Sequence, residues 1–425
     1  MSAPTREHVV VIGAGIVGVS SAIALLKAGH RVTILEPANP GGEQAASYGN
    51  GCWLSPASII PMSMPGIWRK VPGYLLDREG PLTIRLRHLP RLAPWLWRFL
   101  KAGSSVEKVE RTARALAGLL RDAPARHRQL AQDAGKPDLI RQEGLLYAYP
   151  DRAAFEADSL GWRLRRENGV AWRELEDDAL HAFEPSLSPR YRFGALVEAG
   201  GHCLDPGHYV AALARHARAL GATQRPLKAL HFVISSGRLM GVVTTEDCII
   251  PCDRAVIAAG IRSRALAAQA GDRIPLESER GYHVEIENPL VAPRVPVMPC
   301  DGKMGNTVTR GGLRAAGQVE LASVDSPPDW ARAAILLRQL LETYPGLGEE
   351  PSRLTVRRWQ GHRPSTPDGL PVISKACGCS DIIHAFGHGH VGLAAGPMTG
   401  ELVASLLTGR PAPIDPAPFS AARFR

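Results

Sequence analysis

Residues 9–37, "VVVIGAGIVGVSSAIALLKAGHRVTILEP", leave the chain little choice of local structure. Val9 to Ile12 is a continuous apolar run, as a strand covered on both faces requires. Gly13, Gly15 and Gly18 follow at G-x-G-x-x-G spacing. The first permits a tight turn, the second lets a pyrophosphate approach the backbone, and the third lets the next helix pack on the strand. That helix, opened by Ile16 and Val17, runs to about Ala28, where Gly29 ends it. A second strand, Arg31 to Leu35, delivers Glu36 and then Pro37. A carboxylate there suits the two hydroxyls of an adenosine ribose and repels a 2′-phosphate. Strand, glycine turn, helix and distal acid together predict a dinucleotide-binding βαβ unit, without separating FAD from NAD.

The rest of the chain breaks the regular βαβ alternation of an NAD enzyme. A loop, "PANPGGEQAASYGNGCW", follows Glu36, and its Ser47, Asn50 and Gly51 are placed to reach phosphate or an extended cofactor. A short apolar strand, Ala255 to Ala259, ends in Gly260 and Ser263. Near the end comes "FGHGHVGLAAGP", in which Pro397 is expected within the first turn of a helix. Met398, Leu402, Val403 and Leu406 then form one apolar stripe. Gly387, Gly389 and Gly392 therefore sit at a helix N-terminus, with free N–H groups and the positive end of a dipole.

With "AVIAAGIRS", "ERGYH", "GLRAAGQVE", "GHRPSTPDGLPVIS" and "GHGHVGLAAGPMTG" in this order, the chain resembles the D-amino acid oxidase family of flavoproteins along nearly its whole length. The likeness is greatest to the bacterial D-amino acid dehydrogenase branch. The resemblance implies an α/β fold: a discontinuous Rossmann-type FAD-binding domain with an α+β substrate domain whose sheet is mainly antiparallel. It assigns residues 1–60, 200–275 and 355–425 to the first domain, and 61–199 and 276–354 to the second. FAD contacts are then expected at the glycine loop, Glu36 and Pro37, at Ala46, Ser47, Asn50 and Gly51, at Leu227, and at Ala259 and Gly260. Gly387, His388, Gly389, His390, Val391, Gly392 and Leu393 are expected against the flavin ring. A helix start beside the reduced ring stabilises its negative charge by roughly 0.3–2 kcal/mol.

The resemblance also implies oxidation of an amine carbon next to a carboxylate. Arg363, stiffened by Pro364 and Pro367, occupies the place of the carboxylate-binding arginine, a residue whose planar fork suits two parallel hydrogen bonds. His390 stands where relatives carry a second basic residue, and a histidine there weakens the case for a two-point clamp. Tyr282 either orients the substrate or closes a core. Thr307, Arg310 and Arg314 are lesser candidates, because the tyrosine or histidine that relatives use is absent from their strand. A substrate carbon held about 3–3.5 Å from flavin N5 passes a hydride directly, so neither a catalytic base nor a metal is expected. The expected function is oxidative deamination of small D-amino acids through an imine to keto acid and ammonia, electrons passing to a quinone or other acceptor. The alternatives are an oxygen-using oxidase of glycine, sarcosine or a cyclic imino acid such as D-proline, and an RNA-associated or non-catalytic flavoprotein.

Charge and composition narrow the setting. The net charge of +9 carries no nucleic-acid motif, and only eight of the 50 basic residues are lysine. Between Gly66 and Lys101, eight Lys/Arg stand against Asp77 and Glu79, which concentrates two-thirds of the excess in one segment. There, Leu92, Trp95, Leu96, Phe99 and Leu100 fall at helical spacing, a pattern that suits either a helix packed on the substrate domain or one resting on anionic lipid at the inner membrane face. Seven scattered cysteines without metal-like spacing read as reduced thiols. No apolar stretch reaches the roughly 20 residues of a membrane span, and the first strand begins too early for a signal peptide, so a cytoplasmic protein is expected.

Overall fold

The computed structural model describes residues 6–69, 73, 77, 80–348 and 351–425. Lys70, Arg78 and Glu79 of the basic segment lie outside the described residues. Two large sheets organise the rest. The first has six strands in the order Thr223–Arg225, Arg31–Leu35, His8–Ile12, Arg254–Ile257, Ile382–Phe386 and Val372–Lys375. All neighbours are parallel except the last pair. Val9, Val10 and Val11 are fully buried, as a strand covered on both faces must be. This sheet draws on the beginning, middle and end of the chain.

Two helices lie against each other on this sheet, Ile16–Lys27 and Gly392–Thr408. Their approach depends on glycine. A Cβ on Gly396 would come within 2.7 Å of the Ile16 side chain, and one on Gly400 within 2.6 Å of the Ser20 carbonyl. Pro397 is the sixth residue of the second helix, just past the first turn where the sequence predicts it. The carbonyl it leaves without a donor, that of Leu393, accepts instead from His127 Nε2 at 2.9 Å. His127 comes from a third helix, Ala123–Asp133.

The second sheet has nine strands and is mainly antiparallel. At one edge Val356–Ser365 pairs with Glu277–Ile286, which pairs in turn with Gly312–Leu321. The edge strand falls within the stretch 355–425 expected of the cofactor domain, yet it hydrogen-bonds into this second sheet over its whole length. One face of this sheet packs on the helix Ala331–Thr343, in a core containing Tyr282, Val284, Met304 and Leu336.

The helix Leu89–Ala102 buries Leu92 and Trp95 in a small cluster with Leu321. Trp95 also stacks on Phe99 and donates Nε1–H to the Ser365 carbonyl at 3.2 Å. Most of the predicted apolar stripe therefore faces protein, while Trp97 and Leu100 remain exposed. No described helix is long and apolar enough to cross a membrane. All seven cysteines are free.

Candidate active site

The N-terminal glycine loop has the shape a dinucleotide needs. Gly13 has φ +105°, and a Cβ there would meet the Ala258 carbonyl oxygen at 2.5 Å. A Cβ on Gly18 would lie 2.0 Å from the Gly13 carbonyl oxygen. Gly15 differs: its nearest neighbour would be Ser47 Oγ at 3.6 Å, so it faces space that an incoming group can use. Gly15 caps the helix without a side-chain bond. The Ile16 N–H donates to Ser47 Oγ at 3.1 Å, which brings the 46–51 loop over the helix start. Glu36 closes the far side, accepting from the Ala14 N–H at 2.9 Å and the Ala38 N–H at 3.2 Å.

Arg314 holds the 46–51 loop in place. It is buried, pairs through Nε with Glu285 Oε2 at 2.8 Å, and donates Nη1 to the carbonyls of Tyr48 and Asn50, each at 3.1 Å. Thr307 Oγ1 donates to the Gly51 carbonyl at 2.9 Å. Both residues thus act from the substrate sheet on the nucleotide side. Arg310 instead makes a surface pair with Asp138. Ala46, Asn50 and Gly51 are half-buried, and Asn50 Oδ1 is already taken by the Cys52 N–H at 2.8 Å. Pro37 is exposed, and Leu227 lies in the core beside Leu35. Ala259 is half-buried, and Gly260, at φ +56°, has open space where a Cβ would stand.

The second glycine loop meets the substrate sheet. The Gly389 N–H donates to the Pro364 carbonyl at 2.8 Å, and Ser365 forms a bridge with His388. The next helix opens at Gly392 with no side-chain cap, so its first N–H groups, at Gly392, Leu393 and Ala394, are free of side-chain partners. Gly387 and Gly389 both have positive φ. Val391 and Leu393 are buried. Two glycine-led helix starts on packed helices, with a carboxylate at a strand end, fit the two ends of FAD: pyrophosphate and ribose at one, the flavin's anionic edge at the other.

Arg363 lies across the substrate sheet. A Cβ on Gly281 would sit 2.4 Å from its guanidinium carbon, so glycine is what admits the side chain. Nη1 donates to the Gln318 carbonyl at 2.9 Å and Nη2 to that of Gly317 at 3.2 Å. These contacts hold the fork flat and leave its remaining N–H groups for a ligand. Burial lowers its pKa, and the charge of Glu279, its cross-strand partner, opposes that shift.

His390 has protein atoms crowded around it, yet its side chain is solvent-exposed. Burial pushes its pKa down to about 4, with the positive charge of Arg363 adding to the effect. The ring is therefore neutral near pH 7, and Arg363 is the fixed cation of the pair. His388 is turned inward: its Nε2 donates to Thr399 Oγ1 at 2.9 Å, which itself donates to the Ala395 carbonyl. Burial takes its pKa to about 3. Only its backbone remains for the flavin.

Of the two roles open to Tyr282, orienting a substrate or closing a core, the geometry favours the second. Tyr282 neighbours Gly281 on the strand, so its side chain leaves from the opposite face to Arg363. Its hydroxyl donates to Glu320 Oε2 at 2.5 Å and accepts from the Asp329 N–H at 2.9 Å. Tyr282 closes a core and anchors the loop before the helix Ala331–Thr343. Sequence reading takes Arg314 as a lesser substrate candidate and passes over Gly281, because both act through partners distant in sequence. No group of three or more metal-ligating side chains occurs among the described residues.

Comparison with known proteins identifies the family. A family described as "DAO: FAD dependent oxidoreductase" matches residues 8–406. A protein of Bradyrhizobium diazoefficiens named "D-amino-acid oxidase" is 53% identical over 421 residues, covering 99% of this chain and all of the relative. "D-amino acid dehydrogenase 2" of Ralstonia nicotianae is 31% identical over 439 residues, 98% of this chain and all of its own. The structure of glycine oxidase from Geobacillus kaustophilus superposes with a TM-score of 0.73 at 22% identity, covering 98% and 99% of the two chains. That of L-proline dehydrogenase from P. horikoshii gives 0.74 at 20%, covering 99% and 98%. At such identities the two structures speak for the fold alone.

Proposed function

Because the chain belongs to the DAO family of FAD-dependent oxidoreductases and is an amino acid oxidoreductase, we propose that it deaminates small D-amino acids oxidatively, with Arg363 holding the substrate carboxylate. The observation that carries this reading is the guanidinium of Arg363, laid over Gly281 and fixed by two backbone carbonyls beside the loop that carries His390. The D configuration is supported by the names of the relatives at 53% and 31% identity.

The chemistry supplied by bound FAD is acceptance of a hydride from the substrate α-carbon. Gly13, Gly15, Gly18, Glu36, Ser47 and Gly260 would hold its nucleotide part, and the backbone from Gly387 to Leu393 its ring. Arg363 fixes the carboxylate and thereby the orientation of the α-carbon. Neutral His390 contributes shape and one hydrogen bond rather than a second charge. The imine released would hydrolyse in water to keto acid and ammonia. In this reading the residues from 1 to about 60, 200–275 and the last part of the chain form the nucleotide unit, and the nine-stranded sheet forms the substrate unit.

For the electron acceptor we favour a quinone or similar carrier, at a membrane surface or free of it. A second reading, transfer to oxygen, is supported by the name of the 53% relative. One experiment addresses both. The yellow, FAD-loaded protein is assayed on D- and L-amino acids, glycine, sarcosine and D-proline, once with an artificial dye and once in air with peroxide detection. Dye reduction by small D-amino acids without peroxide supports the first reading, and stoichiometric peroxide supports the second. Turnover of L-amino acids alone would sink the stereochemical assignment.

A further inference from the structure

We propose that a cleft that no residue of the two glycine loops lines binds a phosphate group carried on a partly apolar molecule. The cleft lies between the helices Leu89–Ala102 and Val106–Leu120 and the C-terminal tail, with a volume of about 900 Å³. None of Gly13, Gly15, Gly387, Arg363 or His390 lines it. Arg98, Lys101, Lys108, Arg111 and Arg114 do, beside Arg423 and Arg425, which are paired with Asp368 and Asp272.

The second helix explains how the charges gather. Val109, Ala113, Leu116 and Leu120 are buried on one side. Lys108, Arg111, Ala115 and Gly118 recur at helical spacing on the side that lines the cleft. The acids in the wall are otherwise engaged: Asp368 pairs with Arg423 at 2.7 Å, and Asp415 Oδ1 accepts from the Ala417 N–H at 3.0 Å. The five cations from the two helices have no carboxylate partner among the described residues. Arg98 gives one bond, at 3.4 Å, to the Phe424 carbonyl, and Lys108 bonds the Lys101 carbonyl and Ser104 Oγ. Lys101 rides over the Trp97 ring at 5.0 Å. Arg111 and Arg114 are exposed, with no side-chain partner among the described residues.

Five cations facing one concavity repel each other and focus a positive potential into it, and an anion relieves both. One arginine fork satisfies a carboxylate, whereas a phosphate offers near-double charge and three acceptor oxygens to several donors. Trp97, Ile414 and Phe419 give the same cleft an apolar wall, so the ligand is amphipathic rather than a bare ion.

The FAD-loaded protein is titrated calorimetrically with inorganic phosphate and with glycerol phosphate, and floated with phosphatidylglycerol–phosphatidylcholine vesicles. The comparison is between Arg111→Glu/Arg114→Glu and a control of equal charge outside the cleft, Arg121→Glu/Arg218→Glu. The expected result is binding of at least one probe, weakened about tenfold or more by the cleft pair alone. Binding of the soluble phosphates identifies a free ligand, and vesicle binding alone identifies a lipid headgroup. Arg98→Gln/Lys101→Gln replaces the first pair if that variant fails to retain flavin. Binding of none of the three probes, or equal loss in the cleft and control pairs, overturns the proposal.

Discussion

His127 donates a hydrogen bond to the Leu393 carbonyl, the acceptor that Pro397 strips of its helical partner one turn later. His127 is fully buried, and its Nδ1 faces the Tyr209 hydroxyl at 3.0 Å. His127→Leu should cost about 1–3 kcal/mol, because it strands a buried carbonyl. Pro397→Ala on that background restores the backbone donor and should recover much of the loss. Urea unfolding of the two singles and the double measures the coupling, and additivity would refute it.

Gly281 and Arg363 form a second dependent pair. Gly281→Ala places a methyl group 2.4 Å from the guanidinium carbon and must push the side chain off its carbonyls. Loss of kcat/KM by about 10–100-fold is expected, with flavin absorbance unchanged. Arg363→Lys should do at least as much damage, chiefly in KM, since an ammonium lacks the fork. Steady-state kinetics on one D-amino acid would show it.

Two of the loop glycines should fail differently. Gly15 has φ −69° and open space before it, so Gly15→Ala should give a folded, largely colourless protein. Gly18→Ala drives a methyl group into the Gly13 carbonyl and should impair folding itself. Circular dichroism beside flavin absorbance separates the two outcomes.

Acid should destabilise this fold through histidines held neutral. His127 and His388 have pKa values pushed down to about 4 and about 3 by burial, against about 6.5 in the unfolded chain. Between pH 6.5 and 4 the unfolded state therefore binds protons that the folded state refuses, and stability falls as pH falls. Each site should cost about 2 kcal/mol at pH 5 relative to pH 7. His388→Asn should flatten the slope of stability against pH in this window, as read by thermal melts. An unchanged slope would show that His388 accepts its proton without penalty.

Arg314→Met should loosen the nucleotide site from the substrate side. It leaves Glu285 buried without its partner, which costs about 3–5 kcal/mol. It also frees the carbonyls of Tyr48 and Asn50. Weaker FAD retention on gel filtration is the expected sign, and Arg314→Met/Glu285→Gln should recover stability more than flavin affinity.

Local chemistry in the chain alone determined the strand–glycine–helix–acid unit and the glycines before the last helix, whereas the role expected of Arg363 came from the family resemblance. The first two depend on residue types whose backbone freedom or donor geometry is intrinsic, so short-range spacing reveals them. Tertiary structure decided what depends on which face a side chain leaves from and what it meets there. Alternation along a strand could not say which face covers the cofactor, so Tyr282 went to the core while Gly281 made room for Arg363. A helical stripe could not say what it packs against, so Leu92 and Trp95 turned to protein. Pro397 could stand past the first turn only because His127, 270 residues earlier, supplies the missing donor. Such pairings join chain segments hundreds of residues apart, and only the fold brings them within hydrogen-bonding distance.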